Sequence, residues 1–343
     1  MASMSEADGV YVLDTGSDDG TPELLRSLGA YVEQESVQPW RFDVARNRSL
    51  ELVPLDTDIC VCTDLDEVFH PGWRILLEQA WTPEAGQATY RYTWSFQPDG
   101  AEGVVFWYEK IHARRGYCWT HPVHEVLTWT GEGKPGPTVV ADGVQLDHHP
   151  DPNKSRAQYL PLLELSVAED PEDDRNMHYL GREYLFRGRW DDCIETLKRH
   201  LAMLRANWAD ERAASMRYIA KAFLGKEEPE QARDWYLRAI AEAPHLREAY
   251  LDLAMLLYQQ ERWDGVLYFT SCALEIKTRP RNYISEAAAW GSLPFDLRAI
   301  VLYQTGRTCE ALEAAKQALA LEPHNDRLRG NVAALEHLLS KEA

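Results

Sequence analysis

The chain has 343 residues, of which 45% are hydrophobic and 27% charged, and a formal net charge of −19. This suits two packed domains and excludes a disordered chain. A field of that sign repels nucleic acid and anionic lipid, so no nucleic-acid partner is expected, and an anionic ligand would need a local cation or clustered arginine.

The six cysteines, Cys60, Cys62, Cys118, Cys193, Cys272 and Cys309, form no C-x-x-C pair, which argues against a zinc-thiolate site. Met1 to Asp8 is polar and acidic, unlike a signal peptide, and no apolar run approaches the roughly 18 residues of a membrane span. A cytoplasmic location with free thiols and no membrane span is therefore expected.

In chain order, residues 9–14 read as a short strand ending in Asp14, and 15–20 as a turn. Thr21 to Gly29 reads as a helix, with Pro22 in its first turn and Gly29 at its stop. Residues 30–35 form a second strand, and 41–53 a second helix. Ile59 to Thr63 is a third strand that runs into Asp64-Leu65-Asp66-Glu67. This alternation predicts an α/β domain with a largely parallel sheet. Further strands are expected at 87–96, 103–112 and 138–147, with a Gly/Pro-rich loop at 131–137.

From Ser155 onward strand signals fade and helical periodicity takes over. The domains are therefore placed at 1–154 and 155–343. Four similar units follow, at 176–203, 213–244, 247–280 and 295–323, each a helix, a tight turn and a second helix. Pro244 and Pro280 are 36 residues apart, and the fourth unit is set back by an insertion around Asn282 to Leu293. The period of about 34 residues matches the tetratricopeptide pattern, and four units exceed the roughly three that a stable stack needs. Such stacks present a binding groove.

Asp64 and Asp66 carry the chemical argument. At a strand end, residues i and i+2 project the same way, and two carboxylates can hold a hard divalent cation through oxygen. The alternative is a solvated acidic turn. Asp14 ends another strand and either meets a ligand or caps its own turn. Arg46, with Asn47 beside it, either meets an anion or is a surface arginine. His121-Pro122-Val123-His124-Glu125 lacks the H-E-x-x-H spacing of a zinc protease. Its Glu125 is a candidate general base, with His124 beside it. His148 or His149 could complete a metal shell with Asp66.

The strings Val12-Leu13-Asp14-Thr15-Gly16-Ser17-Asp18-Asp19-Gly20-Thr21, Ala45-Arg46-Asn47 and Asp64-Leu65-Asp66-Glu67 together resemble the family 2 glycosyltransferases of the GT-A fold. With Val123-His124-Glu125 and His148-His149, they resemble the bacterial subgroup carrying C-terminal tetratricopeptide repeats, which includes peptide S-glycosyltransferases. The resemblance implies a GT-A-like, Rossmann-like N-terminal domain followed by an all-α repeat solenoid. It implies an inverting transfer from a nucleotide-sugar, a UDP-sugar first, assisted by Mn2+ or Mg2+. Asp14, Thr15, Arg46, Asn47 and Asp64 would hold the nucleotide; Asp64, Asp66, His148 and His149 the metal; Glu125 and His124 would act in catalysis. The acceptor would be a peptide, protein or glycan held by the repeat groove, and a homo-oligomer is compatible with the pattern. Family members begin with a strand and helix ahead of the D-T-G-S strand, whereas eight residues precede Gly9 here, so a shortened domain is expected.

Two other classes compete. One is a non-catalytic interaction protein whose repeats bind a peptide beside a degenerate N-terminal domain. The other is a metal-dependent hydrolase built on His121 and His124.

Overall fold

A computed structural model of the chain describes residues 1–96, 100–151 and 157–342. The chain forms two compact units, Met1–Asp170 and Pro171–Ala343. The expected boundary between 154 and 155 lies outside the described residues.

In the first unit, β1 (Tyr11–Asp14) and β2 (Tyr31–Gln34) pair in parallel through the crossover helix α1 (Thr21–Ser27). Gly20 precedes α1 with φ of +81°, a conformation open to glycine at little steric cost. Helix α2 (Phe42–Glu51) packs against β1. A separate five-stranded sheet holds β3 (Ile59–Val61), β4 (Glu67–Phe69), β5 (Gln87–Thr93), β6 (Val105–Ala113) and β9 (Thr138–His148), in the order β3-β6-β5-β9-β4. Only the β5–β9 pair in it is parallel; the other three pairs are antiparallel. A hairpin of β7 (Tyr117–Thr120) and β8 (Val126–Trp129) completes the strands, and helix α4 (Tyr159–Glu169) ends the unit.

The core of this unit follows the period of two. Ala88, Tyr90 and Tyr92 alternate inward on β5 and meet Ile111, Val144 and Leu146 from the neighbouring strands. Phe69, and Trp73 and Leu77 from α3 (Trp73–Ala80), close one side. Burying a side chain such as Ile111, which is wholly inaccessible, contributes about 2–3 kcal/mol. Glu6 accepts from the backbone N–H groups of Gly72 and Arg74, so an acidic side chain from the N-terminal segment caps α3.

The largely parallel, Rossmann-like sheet expected from the alternation is not what forms. The short parallel pair stands alone, and the main sheet is dominated by antiparallel neighbours. The strands at 87–96 and 103–112 pair directly as β5 and β6, which no parallel crossover permits.

The second unit is a tetratricopeptide-like stack of helical hairpins. Its pairs are α5 (Asp174–Phe186) with α6 (Trp190–Ala202), α7 (Ala209–Gly225) with α8 (Pro229–Glu242), α9 (Arg247–Gln259) with α10 (Trp263–Glu275), and α12 (Leu293–Gln304) with α13 (Thr308–Leu321). A short helix α11 (Ala287–Trp290) lies in the insertion, and α14 (Asp326–Glu342) packs on α13. Small buried residues let the helices approach: Gly181 faces Leu197, and Ala222, Ala232, Ala239, Ala254, Ala273 and Ala311 are wholly covered. Pro229 and Pro294 sit in the first turn of their helices, where the missing N–H costs nothing.

Candidate functional site

The acidic turn after β3 does not present two free carboxylates. Arg46, on α2, donates to Asp64 Oδ2 at 3.0 Å and to Glu125, and its guanidinium lies 5.0 Å from the Trp119 ring centre. Lys110, buried on β6, donates to the same Asp64 oxygen at 3.0 Å and to Glu67 at 2.7 Å. Tyr92 donates its hydroxyl to Glu67 as well. Burial works against the Asp64 charge, but Lys110 and Arg46 outweigh it and hold the carboxyl well below the usual carboxylate range.

Other expected site residues are likewise engaged within the unit. Asp14 accepts from the backbone N–H of Gly16 at 3.2 Å and of Ser17 at 3.0 Å, so it caps its own turn, where Thr15 is half-buried. Asn47 forms a two-way clamp with the backbone of Trp119, both bonds 2.8 Å, and so fixes β7 on α2. His121 and His124 adopt left-handed backbone, with φ of 78° and 52°, in the β7–β8 loop. That loop delivers Glu125 to Arg46, which ties up the proposed base in an ion pair. The His124 ring lies beside Tyr159.

Asp66 and His148 do meet, with Oδ2 and Nε2 3.5 Å apart. His148 Nδ1 faces the Trp94 carbonyl at 3.0 Å. A carbonyl only accepts, so that nitrogen carries the proton, and Nε2 faces the carboxylate. His149 is exposed and stacks on Phe96 at 5.4 Å, while its backbone N–H donates to the Asp66 carbonyl. Among the described residues, the one group of three carboxylate, imidazole or thiolate ligand atoms lying within 4.8 Å of one another is elsewhere, at Asp174, His200 and Glu211.

A dense polar arrangement lies in the repeat stack. On α7, Asp210, Glu211, Arg217, Tyr218 and Lys221 recur at helical spacing on one face. Glu248 and Asp252 continue that face on α9. Arg217, wholly buried, donates to Asp252 at 2.7 Å and to Glu286 at 2.9 Å. Burial disfavours the guanidinium charge, yet Asp252 and Glu286 keep its pKa raised. Burial likewise raises Glu286, and Arg217 with Lys221 more than reverses it.

The insertion between α10 and α12 supplies the matching groups. Asn282 donates to Asp210 at 2.7 Å, Tyr283 to Glu211, and Trp290 to Glu248 at 3.0 Å. The Glu286 backbone N–H also donates to Glu248, at 3.0 Å. The Tyr283 ring packs between Tyr179 of α5 and Trp208, with centroids 5.8 and 5.6 Å away. Deeper in the stack, Ser215 bridges the Nδ1 atoms of His178 and His200, at 2.7 and 3.0 Å. Sequence reading located the insertion but assigned no role to it. The available signal was an aromatic and an acid three apart, Tyr283 and Glu286, inside a break in a helical repeat.

No family model and no curated protein matches the chain. Among solved structures it is similar to MamA, with 20% identity over 49% of this chain and 89% of that one and a TM-score of 0.39. It is similar to TTC0263, a thermophilic TPR protein of Thermus thermophilus, with 20% identity over 51% of this chain and 88% of that one and a TM-score of 0.38. YrrB, described as a TPR protein with an unusual peptide-binding site, shows 15% identity over 50% of this chain and 81% of that one, at a TM-score of 0.37.

The expected GT-A glycosyltransferase is corrected on the architecture of the first unit. The similar structures named are repeat proteins or MamA, and none is described as a glycosyltransferase. The first unit lacks the expected largely parallel sheet, and Asp64, Arg46 and Glu125 neutralise one another there. The family 2 resemblance and its sugar-transfer chemistry are therefore set aside, and the repeats carry forward. No helix among the described residues is long and apolar enough to cross a membrane.

Proposed function

We propose that the chain is a protein-interaction module whose repeat stack recognises an extended peptide along the face formed by α5, α7 and α9. The row of ionisable side chains on that face carries the reading: Asp210, Glu211, Arg217, Lys221, Glu248 and Asp252. Helix packing alone would place apolar groups at these positions, because buried charge is costly unless it is matched. Mixed charge of this kind supports polar recognition of a backbone and its side chains. Panning a peptide-display library against the full chain tests it. Selected peptides should bind the wild type and lose affinity to Lys221→Glu. Failure to enrich any peptide, or binding indifferent to Lys221→Glu, rejects it.

A second reading rests on Asp66 and His148 alone. We propose that this pair binds a divalent cation, Mn2+ or Mg2+. The support is geometry: the Trp94 carbonyl accepts from the His148 Nδ1–H, and Nε2 is turned toward an Asp66 carboxylate oxygen 3.5 Å away. MnCl2 should raise the melting temperature in proportion to the logarithm of its concentration, as a native-state ligand does. Asp66→Asn should remove the shift; a shift that survives the substitution rejects this site.

A further inference from the structure

We infer that residues 282–290 are a resident occupant of the α5/α7/α9 face, and that the external partner is a peptide bearing an aromatic hydroxyl three positions ahead of a carboxylate. This rests on the interaction reading above and specifies its ligand.

Three observations carry it. First, the stack closes without the segment, because α10 packs directly on α12. The segment is therefore an addition to the solenoid and not a link in it. Second, the segment is held as a bound peptide would be. Tyr283 lies against Tyr179 and Trp208 with its hydroxyl on Glu211, and Ile284 is buried against Ala213, Ala214 and Ala249. The Glu286 carboxylate lies between Arg217 at 2.9 Å and Lys221 at 3.9 Å, and the Glu286 backbone N–H reaches Glu248. Third, the fit leaves bonding capacity unused. Arg217 Nη1, Glu248 Oε2 and Asn282 Oδ1 are buried and lack hydrogen-bond partners among the described residues. Unmet buried groups weaken the resident complex and give a better-matched peptide room to displace it.

The exchange is a competition for the same contacts. A segment tethered at both ends acts at high effective concentration, so it suppresses weak ligands and yields to matched ones.

The test uses a fluorescent peptide copying residues 280–291 and the full chain in two forms, wild type and Tyr283→Phe/Glu286→Gln. Losing charge-assisted bonds should free the face, so the double variant should bind the peptide about tenfold more tightly than wild type or better. A peptide with Gln at the position of Glu286 should lose that gain, as should a further Lys221→Glu change in the protein. A folded double variant that binds no better than wild type overturns the inference. If the variant misfolds, hydrogen exchange on the wild type decides. Excess peptide should speed exchange across 282–290 while α9 and α12 stay protected, and unchanged exchange overturns the inference. Library peptides that bind both forms equally sink this inference alone. A variant that takes its own segment in trans but no library peptide sinks the broader reading alone.

Discussion

Arg217 on α7 holds Glu286, 69 positions along the chain, at 2.9 Å, and holds Asp252 on α9 with the same guanidinium. One buried cation thus answers two acids from different parts of the stack. Arg217→Ala would leave Asp252 and Glu286, both partly exposed, to share Lys221 at 3.5 and 3.9 Å, and losing hydrogen bonds to charged groups costs about 1.5–3 kcal/mol. Urea denaturation should show that loss, with the midpoint falling sharply. A change below about 1 kcal/mol, the scale of exposed pairs, would show that the cluster is solvated.

The stack should also be acid-sensitive well above the carboxylate range. Burial pushes His178 down to about 3, whereas an unfolded histidine titrates near 6.5. The unfolded chain therefore takes up a proton that the native chain refuses. Stability from this group is complete above about pH 6.5 and falls as pH drops from there toward 3, by about 2 kcal/mol at pH 5. Denaturant melts at pH 7 and pH 5 should differ by that much, and His178→Gln should flatten the difference.

Gly181 sits where α5 crosses α6, and an added Cβ there would come within 2.3 Å of the Leu197 side chain. Gly181→Ala raises helix propensity but overpacks this crossing, and overpacking costs about 1–3 kcal/mol. The clash should dominate, lowering the melting temperature. Gly181→Ala/Leu197→Ala should unfold earlier than wild type for the opposite reason, a void, while relieving the clash.

In the first unit, Lys110→Met should be costly because Glu67, itself buried, would keep only the Tyr92 hydroxyl and the Asp64 backbone N–H as partners. The expected loss is about 3–5 kcal/mol. Adding Glu67→Leu should recover most of it, since an apolar pair of similar volume avoids the buried charge altogether. A double variant no better than the single one would show that the lysine acts through packing.

The repeats were legible because each hairpin repeats one local rule, small residues at the crossings and a turn, with a proline beyond the second, third and fourth. Many of the strands were legible too, since β1, β2, β3, β5, β6 and β9 each stand on a β-prone run. Their partners were not. Whether β5 and β6 pair edge to edge or through a crossover depends on the chain between them, which carries no periodicity. Short elements such as β4 and β7 were missed for lack of length, and α3 because it follows β4 with a single residue pair of loop signal, Pro71-Gly72. Asp64 and Asp66 look equivalent as letters. Arg46 and Lys110 set Asp64 apart, and both come from distant positions. The same limit hid the role of the insertion, whose partners lie on three different helices.

A helical solenoid ordinarily unfolds by nearest-neighbour steps, so its ends can fray while the middle persists. The segment at 282–290 touches α5, α7 and α9 together, helices of three successive hairpins. It works as a lashing across the rungs, and the first three repeats should melt as one cooperative block for as long as it stays in place.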